Sequence, residues 1–277
     1  FISADSSYDV VAISTSQRDA VLKAWPAVSV YASAEDLIAD DNIELVIITA
    51  PNVVHFSLAR AALEAGKHVL VEKPFVTRSG DGEALIRLAE EKGLILSVYH
   101  NRRWDGDYLT VDKILRHNSL GRIRYFETHF DRFRPKVRDT WRESDVDGSG
   151  ILFDLGAHLI DQTVTLFGMP QAITAHVRAQ REGALSDDVF RLTFQYEDMV
   201  AVLVSSPFCA GPNLRFKLEG EEGNYIKYGL DPQEERLRAG MMPVTADWAA
   251  ETPDAYGTLY NGHGTAAPYL TEVGGYD

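Results

Sequence analysis

The sequence predicts an α/β domain built on a doubly wound parallel sheet, followed by an α+β domain with a largely antiparallel open sheet. Three observations carry that reading. Short β-branched runs alternate with helical patterns through the first hundred residues, and such alternation makes βαβ units and a parallel sheet. After about Tyr99 the pattern changes to period-two runs and one long apolar helix. The length of 277 residues suits about two domains. The boundary falls between 1–100 and 101–277.

The elements follow in order. DVVAIST, Asp9 to Thr15, is a short β-branched strand. SAEDLIADDNI is a short helix with Ser33 as N-cap and acids in its first turn. ELVIITAP is a buried strand. NVVHFSLARAALEAG is an amphipathic helix opened by Asn52 and closed by Gly66. KHVLVEKP is a strand, SGDGEALIRLAEEKG a helix ending at Gly93, and LILSVY a further strand. In the second half IRYFETHFDRF, Ile123 to Phe133, and DVFRLTFQYED, Asp188 to Asp198, alternate with period two. MVAVLVSSPF completes a hairpin through YEDM, and LRFKLEGEEGNYIKYG turns back at EGEEG. From Asp231 onward the chain is rich in Pro, Gly and Ala and has little periodicity.

Composition excludes several classes. The net charge is -14, whereas nucleic-acid binding calls for a basic surface. No apolar run approaches the ~20 residues of a membrane span. Cys209 is the only cysteine, so neither an internal disulfide nor a thiolate metal site is available, and a cytoplasmic location is the expectation. The expected partner is a small molecule, with neither nucleic acid nor membrane.

Polar residues interrupt apolar elements at a few places. In VEKPF, Lys73 ends a buried strand where ligands of open α/β sheets sit. Pro74 biases it toward extended backbone and permits a cis bond. A strand-end salt bridge between Glu72 and Lys73 is the plainer alternative. GILFDLGAHLIDQTVTLFG, Gly150 to Gly168, carries Asp154, His158, Asp161 and Thr165. At about 100° per residue, His158 falls about 40° from Asp154 and Asp161 about 20° on the other side. That stripe is narrow and lacks Lys and Glu, so it reads as a polar line into a cavity rather than a solvent face. Asp and His at i, i+4 could also ligate a metal, but without a third ligand nearby none is expected. YHNRRWD, Tyr99 to Asp105, offers Asn101 and Arg103 to a hydroxylated or anionic substrate, or equally to interdomain salt bridging. AISTSQRD ends a strand with Ser14, Ser16 and Arg18 in place of the acid that suits NAD, a pattern that suits the extra phosphate of NADP.

Taken together, these stretches resemble the Gfo/Idh/MocA family of glucose–fructose oxidoreductases and inositol dehydrogenases. TAPNVVH, AALEAGKHVLVEKPF, YHNRRWD, the LGRI turn and GSGILFDLGAHLIDQ carry the likeness, in order, over nearly all of the chain. Within the family the chain is most similar to an NADP-linked branch that includes scyllo-inositol dehydrogenases. The resemblance implies a Rossmann domain, a C-terminal domain for substrate binding and dimerisation, and an active site between them. It implies Lys73, Asp154 and His158 as the catalytic set. Ser14, Ser16, Arg18, Pro51, Asn52, His55, Glu72 and Lys73 would bind NADP, or NAD. Asn101, Arg103, Trp141, Asp154 and His158 would bind a cyclic polyol or sugar. It also implies a homo-oligomer assembled through the C-terminal sheet. The residue types suit these roles. Histidine titrates near neutrality and can take the hydroxyl proton, lysine can hold the developing alkoxide, and Asp154 can orient the imidazole.

The family pattern opens with a glycine-rich turn that cradles a pyrophosphate at a helix N-terminus, and nothing before Val10 supplies it. Phe1 is expected just after the first helix. The far end is expected to lack a helix that packs against the Rossmann domain. The 277 residues by themselves are therefore expected to bind cofactor poorly and to be inactive. Two alternatives stay open: a non-catalytic NAD(P)-binding regulator of the same fold, and a reductase of a different carbonyl substrate.

Overall fold

Valine and isoleucine, crowded at Cβ, favour extended backbone, and their runs in the first hundred residues form parallel strands. The computed structural model describes all residues except 1, 3, 4, 244, 246 and 277, so the expectation for Phe1 lies outside the described residues. Contacts divide the chain into two units, Phe1–Tyr99 and His100–Asp277.

In the first unit β1 (Ala12–Ser14) leads through α1 (Arg18–Ala24) to β2 (Ser29–Tyr31), its parallel partner. After α2 (Ala34–Ile38), three parallel strands lie side by side in the order β3 (Leu45–Ile48), β4 (His68–Glu72) and β5 (Leu96–Tyr99). The connections are α3 (His55–Glu64) and α4 (Ser79–Lys92). Val46, Ile48, Val69 and Val71 point into one core with Ile38, Leu63 and Leu85. Ser33 Oγ accepts from the Asp36 amide at 3.0 Å and caps α2, and Gly93, left-handed at φ 64°, ends α4. The helix expected from Asn52 instead begins with a 3₁₀ turn, Asn52–Val54, before α3. The first strand is only the three residues of β1. Helix α1 has no buried residue and hence no apolar stripe for the sequence to reveal.

The second unit contains α5 (Gly106–Arg116), β6 (Ile123–His129), α6 (Ala157–Phe167), β7 (Ala172–Arg178), β8 (Val189–Gln195) and β9 (Val200–Ser205). It continues with β10 (Leu214–Gly220), β11 (Gly223–Tyr228), α7 (Gln233–Arg238), β12 (Gly257–Asn261) and β13 (Ala266–Tyr269). One eight-stranded sheet runs β13-β12-β11-β10-β6-β9-β8-β7. Every pairing is antiparallel except β6 with β9. Alternate residues of its strands, among them Phe126, Phe190, Leu192, Phe216 and Leu218, join Leu155 and Leu159 in the core. Strand β7 is exposed at every position, so it carries no inward alternation. The tail beyond Asp231 supplies α7, β12 and β13, the last an edge strand that tolerates Pro268. No helix among the described residues is long and apolar enough to cross a membrane.

A buried ionic knot ties this unit together. Arg215, 1% exposed, donates to Asp107 Oδ2, Thr128 Oγ1 and Gln162 Oε1, each at 2.9 Å. Arg102 pairs with Asp105 at 3.3 Å, donates to the Tyr276 hydroxyl and reaches Glu234. Arg102, Arg132 and Arg215 all lie against the Phe130 ring. The buried carboxyls Asp105, Asp107 and Asp231 outnumber the buried guanidiniums Arg102 and Arg215. Burial, with the charges of Asp107 and Asp231 and against the pull of Arg102, pushes Asp105 up to about 8. A carboxyl raised on folding contributes stability that is full below its unfolded pKa of about 3.9 and is lost as pH rises through the folded value. Between about pH 5 and 8 the urea midpoint of the protein should fall through this group. Asp105→Asn should flatten that pH slope, whatever it does to the midpoint itself; an unchanged slope would remove Asp105 as the titrating group.

Candidate active site

In the first unit the candidate residues stand just past the carboxyl ends of parallel strands. Ser14 closes β1, and Thr15, Ser16 and Gln17 lead into α1. Ser16 and Arg18 are exposed and Ser14 is half-buried. The Thr15 hydroxyl accepts from the Gln17 amide at 3.0 Å, and Arg18 donates one nitrogen to the Val30 carbonyl at 2.8 Å. The strand end thus presents hydroxyls and a guanidinium, with serine where a diol-binding acid would stand.

Strands β3 and β4 are neighbours in register, Ile48 opposite Val71, so Pro51 and Asn52 share one sheet end with Glu72 and Lys73. Pro51 is exposed and Asn52 buried. The Lys73–Pro74 peptide is cis, and the Glu72 carboxylate accepts from the Lys73 amide at 3.2 Å. Burial, then the Glu72 charge, raises the pKa of Tyr99, which stands opposite Glu72 in β5. His55 departs from its expected role as a cofactor contact. Its ring is fully buried, with Nδ1 2.8 Å from the Pro74 carbonyl oxygen and Nε2 2.9 Å from that of Ala50. Both nitrogens face backbone carbonyl oxygens and one of them donates, so the ring lies between the two strand-end loops and ties itself to one of them.

In the second unit Asp154 and His158 lie at the start of the long helix, but that helix is not uniform. Leu152–Gly156 forms a π turn, and α6 proper begins at Ala157. A π turn takes more residues than an α turn, so the offset of about 40° calculated for a regular helix does not hold between Asp154 and His158. Asp187 fixes the turn from outside: its backbone carbonyl accepts from the Ile151 amide and its carboxylate from the Leu152 amide, both at 2.8 Å. Gly150 permits this approach. Its φ is 90°, and a Cβ there would sit 2.1 Å from Asp187 Oδ1. The polar stripe is graded in burial: His158 is 6% exposed, the Asp154 and Asp161 side chains 25% and 12%, and Thr165 lies in the open.

Arg103 and Asp161 meet. Arg103 donates to the two carboxylate oxygens of Asp161 at 2.8 and 2.6 Å, and His100 Nε2 lies 3.6 Å from the same group. The pair lies within the second unit, so it is no interdomain bridge, and Nε and Nη2 of Arg103 are engaged by Asp161. Gln162, fully buried, donates to the Arg102 carbonyl at 2.6 Å. Asn101 opens the 3₁₀ turn Asn101–Trp104 and is half-buried. Trp141 begins another such turn, with the Arg142 guanidinium 4.7 Å above its ring.

Asp154 lines a cleft whose walls carry Arg132, Arg134, Arg138, Arg142 and Arg181. None of these arginines was singled out from the sequence. The signal was there: residues 132–143 hold four Arg and one Lys in an acidic chain.

Residues 1–100 match the oxidoreductase family with an NAD-binding Rossmann fold, and residues 108–226 the GFO/IDH/MocA C-terminal domain. The chain belongs to the Gfo/Idh/MocA oxidoreductase family. It is 44% identical over 267 residues to the uncharacterized oxidoreductase YdgJ of Escherichia coli, covering 96% of this chain and 77% of that one. It is 43% identical to the scyllo-inositol 2-dehydrogenase (NADP(+)) IolW of Bacillus subtilis, covering 91% and 70%. Among solved structures, yvaA of Bacillus subtilis superposes with a TM-score of 0.95 at 40% identity, over 99% of this chain and 79% of that one. The chain is thus an NAD(P)-binding oxidoreductase of the inositol-dehydrogenase-like branch.

Replacing His55 tests the reading of the two loops. His55→Ala should lower stability by about 1–3 kcal/mol, because it removes a buried hydrogen bond to a strand-end carbonyl. Urea unfolding of the variant checks this, and a loss near zero would return His55 to the list of ligand contacts.

Proposed function

We propose that the protein oxidises a hydroxyl of a cyclic polyol or sugar, or reduces the corresponding ketone, with NADP favoured over NAD. Its likeness to a scyllo-inositol dehydrogenase at 43% identity, together with retention of Lys73, Asp154 and His158, carries the proposal. A regulator that only sensed the nucleotide would need no proton acceptor and alkoxide holder in addition.

In this reading Ser14, Ser16 and Arg18 hold the phosphate end of the nucleotide, and Pro51, Asn52, Glu72 and Lys73 line its path. When bound, the nicotinamide supplies a hydride acceptor. The protein's own part is proton chemistry. His158 takes the hydroxyl proton as the carbinol is oxidised. The Lys73 ammonium stabilises the oxygen as it becomes alkoxide. Asp154 orients the imidazole and favours its protonated form. Asn101 and Trp141 serve as further contacts for the substrate ring, whereas Arg103 acts through Asp161. The proposed setting is cytoplasmic, with a homo-oligomer built on the second unit's sheet.

In the full-length protein, His158→Ala should lower kcat by roughly 10²–10⁴ while the Kd for NADP changes little. Steady-state kinetics on a panel of inositols and sugars, with calorimetry for the nucleotide, reads both. A variant that retained full kcat would end the role of His158. The same panel should give a higher kcat/KM with NADP than with NAD; the reverse order would overturn the reading of Ser14, Ser16 and Arg18.

A further inference from the structure

The arginine cleft does more than a neutral polyol requires. Beyond β6 the chain stays extended, with the Arg132 amide donating to the Ser206 carbonyl at 3.0 Å and the Arg134 amide to the Pro207 carbonyl at 2.7 Å. Alternate residues of an extended run share a side, so Arg132 and Arg134 enter the cleft together while Phe133 is exposed.

The other cleft arginines have carboxylate partners. Arg138 donates to Glu143 at 2.8 Å. Arg181 pairs with Asp188 at 2.9 Å and with Glu143 at 3.1 Å. Arg142 stands 3.8 Å from Asp154. Among the described residues no carboxylate lies within ion-pair distance of Arg132 or Arg134. Burial, then the charge of Arg134, lowers the pKa of Arg132; burial, then the charge of Arg138, lowers that of Arg134. Asp154, Glu234 and Glu143 act on these two guanidiniums only from beyond ion-pair distance, and burial with mutual repulsion outweighs them, so two neighbouring cations partly withdrawn from water lack a directly bonded anion. In a chain of net charge -14 they are also out of keeping with the general field. A guanidinium fork suits the planar pair of oxygens of a phosphate or carboxylate.

We propose that Arg132 and Arg134 form a subsite for an oxyanion substituent, phosphate or carboxylate, carried by the polyol or sugar substrate. Resting on the dehydrogenase reading above, this deepens it: the substrate is an acidic or phosphorylated polyol, and Arg142 keeps the Asp154 charge from repelling it.

Calorimetry without nucleotide tests the subsite independently of turnover, using an inositol monophosphate, a hexuronate, the uncharged parent compounds and inorganic phosphate. One charged compound should bind at least about 10-fold more tightly than its uncharged parent, and which one does identifies the anion. Arg132→Gln and Arg134→Gln should each weaken that binding about 10- to 100-fold, and the corresponding Lys variants less. Arg134 lies nearer solvent and guards against a variant that merely fails to fold. Equal binding of charged and uncharged compounds, or inorganic phosphate bound as well as the phosphorylated polyol, would overturn the subsite. NADP-linked turnover read beside it separates the two ideas. Turnover of uncharged polyols with no preference for charged ones sinks the subsite and leaves the dehydrogenase. Arginine-dependent binding with no turnover of any compound leaves the subsite and sinks the dehydrogenase.

Discussion

Arg215 holds four elements of the second unit at one buried point. From β10 it reaches Asp107 in α5, Thr128 in β6 and Gln162 in α6. A guanidinium so deeply buried is tolerable only when its donors are satisfied, because an uncompensated buried charge costs several kcal/mol. Those elements are therefore locked at fixed distances. Gln162 passes the constraint on through its bond to the Arg102 carbonyl, which fixes the 3₁₀ turn that carries Arg103 against Asp161. The start of α6, with its π turn, inherits this rigidity.

What the sequence revealed, and what it did not, follows from the range of the signals. Strands β3, β4 and β5 were legible because their valines and isoleucines face one core. Ser33 and Gly93 were legible because caps are local chemistry. The candidate triad was legible because Asp154 and His158 break an apolar helix, and because the likeness to a family places Lys73 before proline. The π turn was not legible, since one extra residue in a helix leaves no mark on composition, and it required Asp187, over thirty positions away. His55 was expected among the cofactor contacts because the resemblance to the family implies it; the two carbonyls its ring faces lie at sequence distances of 5 and 19. Arg103 and Asp161 were each noticed, but 58 positions separate them, and no local pattern predicts that they meet.

The two units solve the problem of charge in different ways. The first keeps its core almost wholly apolar and confines polarity to strand ends, where the loops on either side of His55 present it. The second places charged side chains inside and pairs them with one another, around a single phenylalanine ring touched by three guanidiniums. Buried polar networks specify one arrangement more sharply than apolar contacts do, which suits a unit that must hold a histidine and a carboxylate in a defined relation.

The order of strands in the large sheet has a kinetic consequence. Strand β6 sits between β10 and β9, so neither of its neighbours is adjacent to it in the chain. Tyr125 must find Val200, and Phe126 must find Leu218, before the centre of the sheet exists. Loop closure over such separations costs entropy that local hairpins avoid. The hairpins β8–β9 and β10–β11 can form early, while β6 waits for both. During synthesis β6 has neither strand partner until β9 has emerged, and gains its second only with β10, and unpaired strand edges of this kind are prone to aggregation.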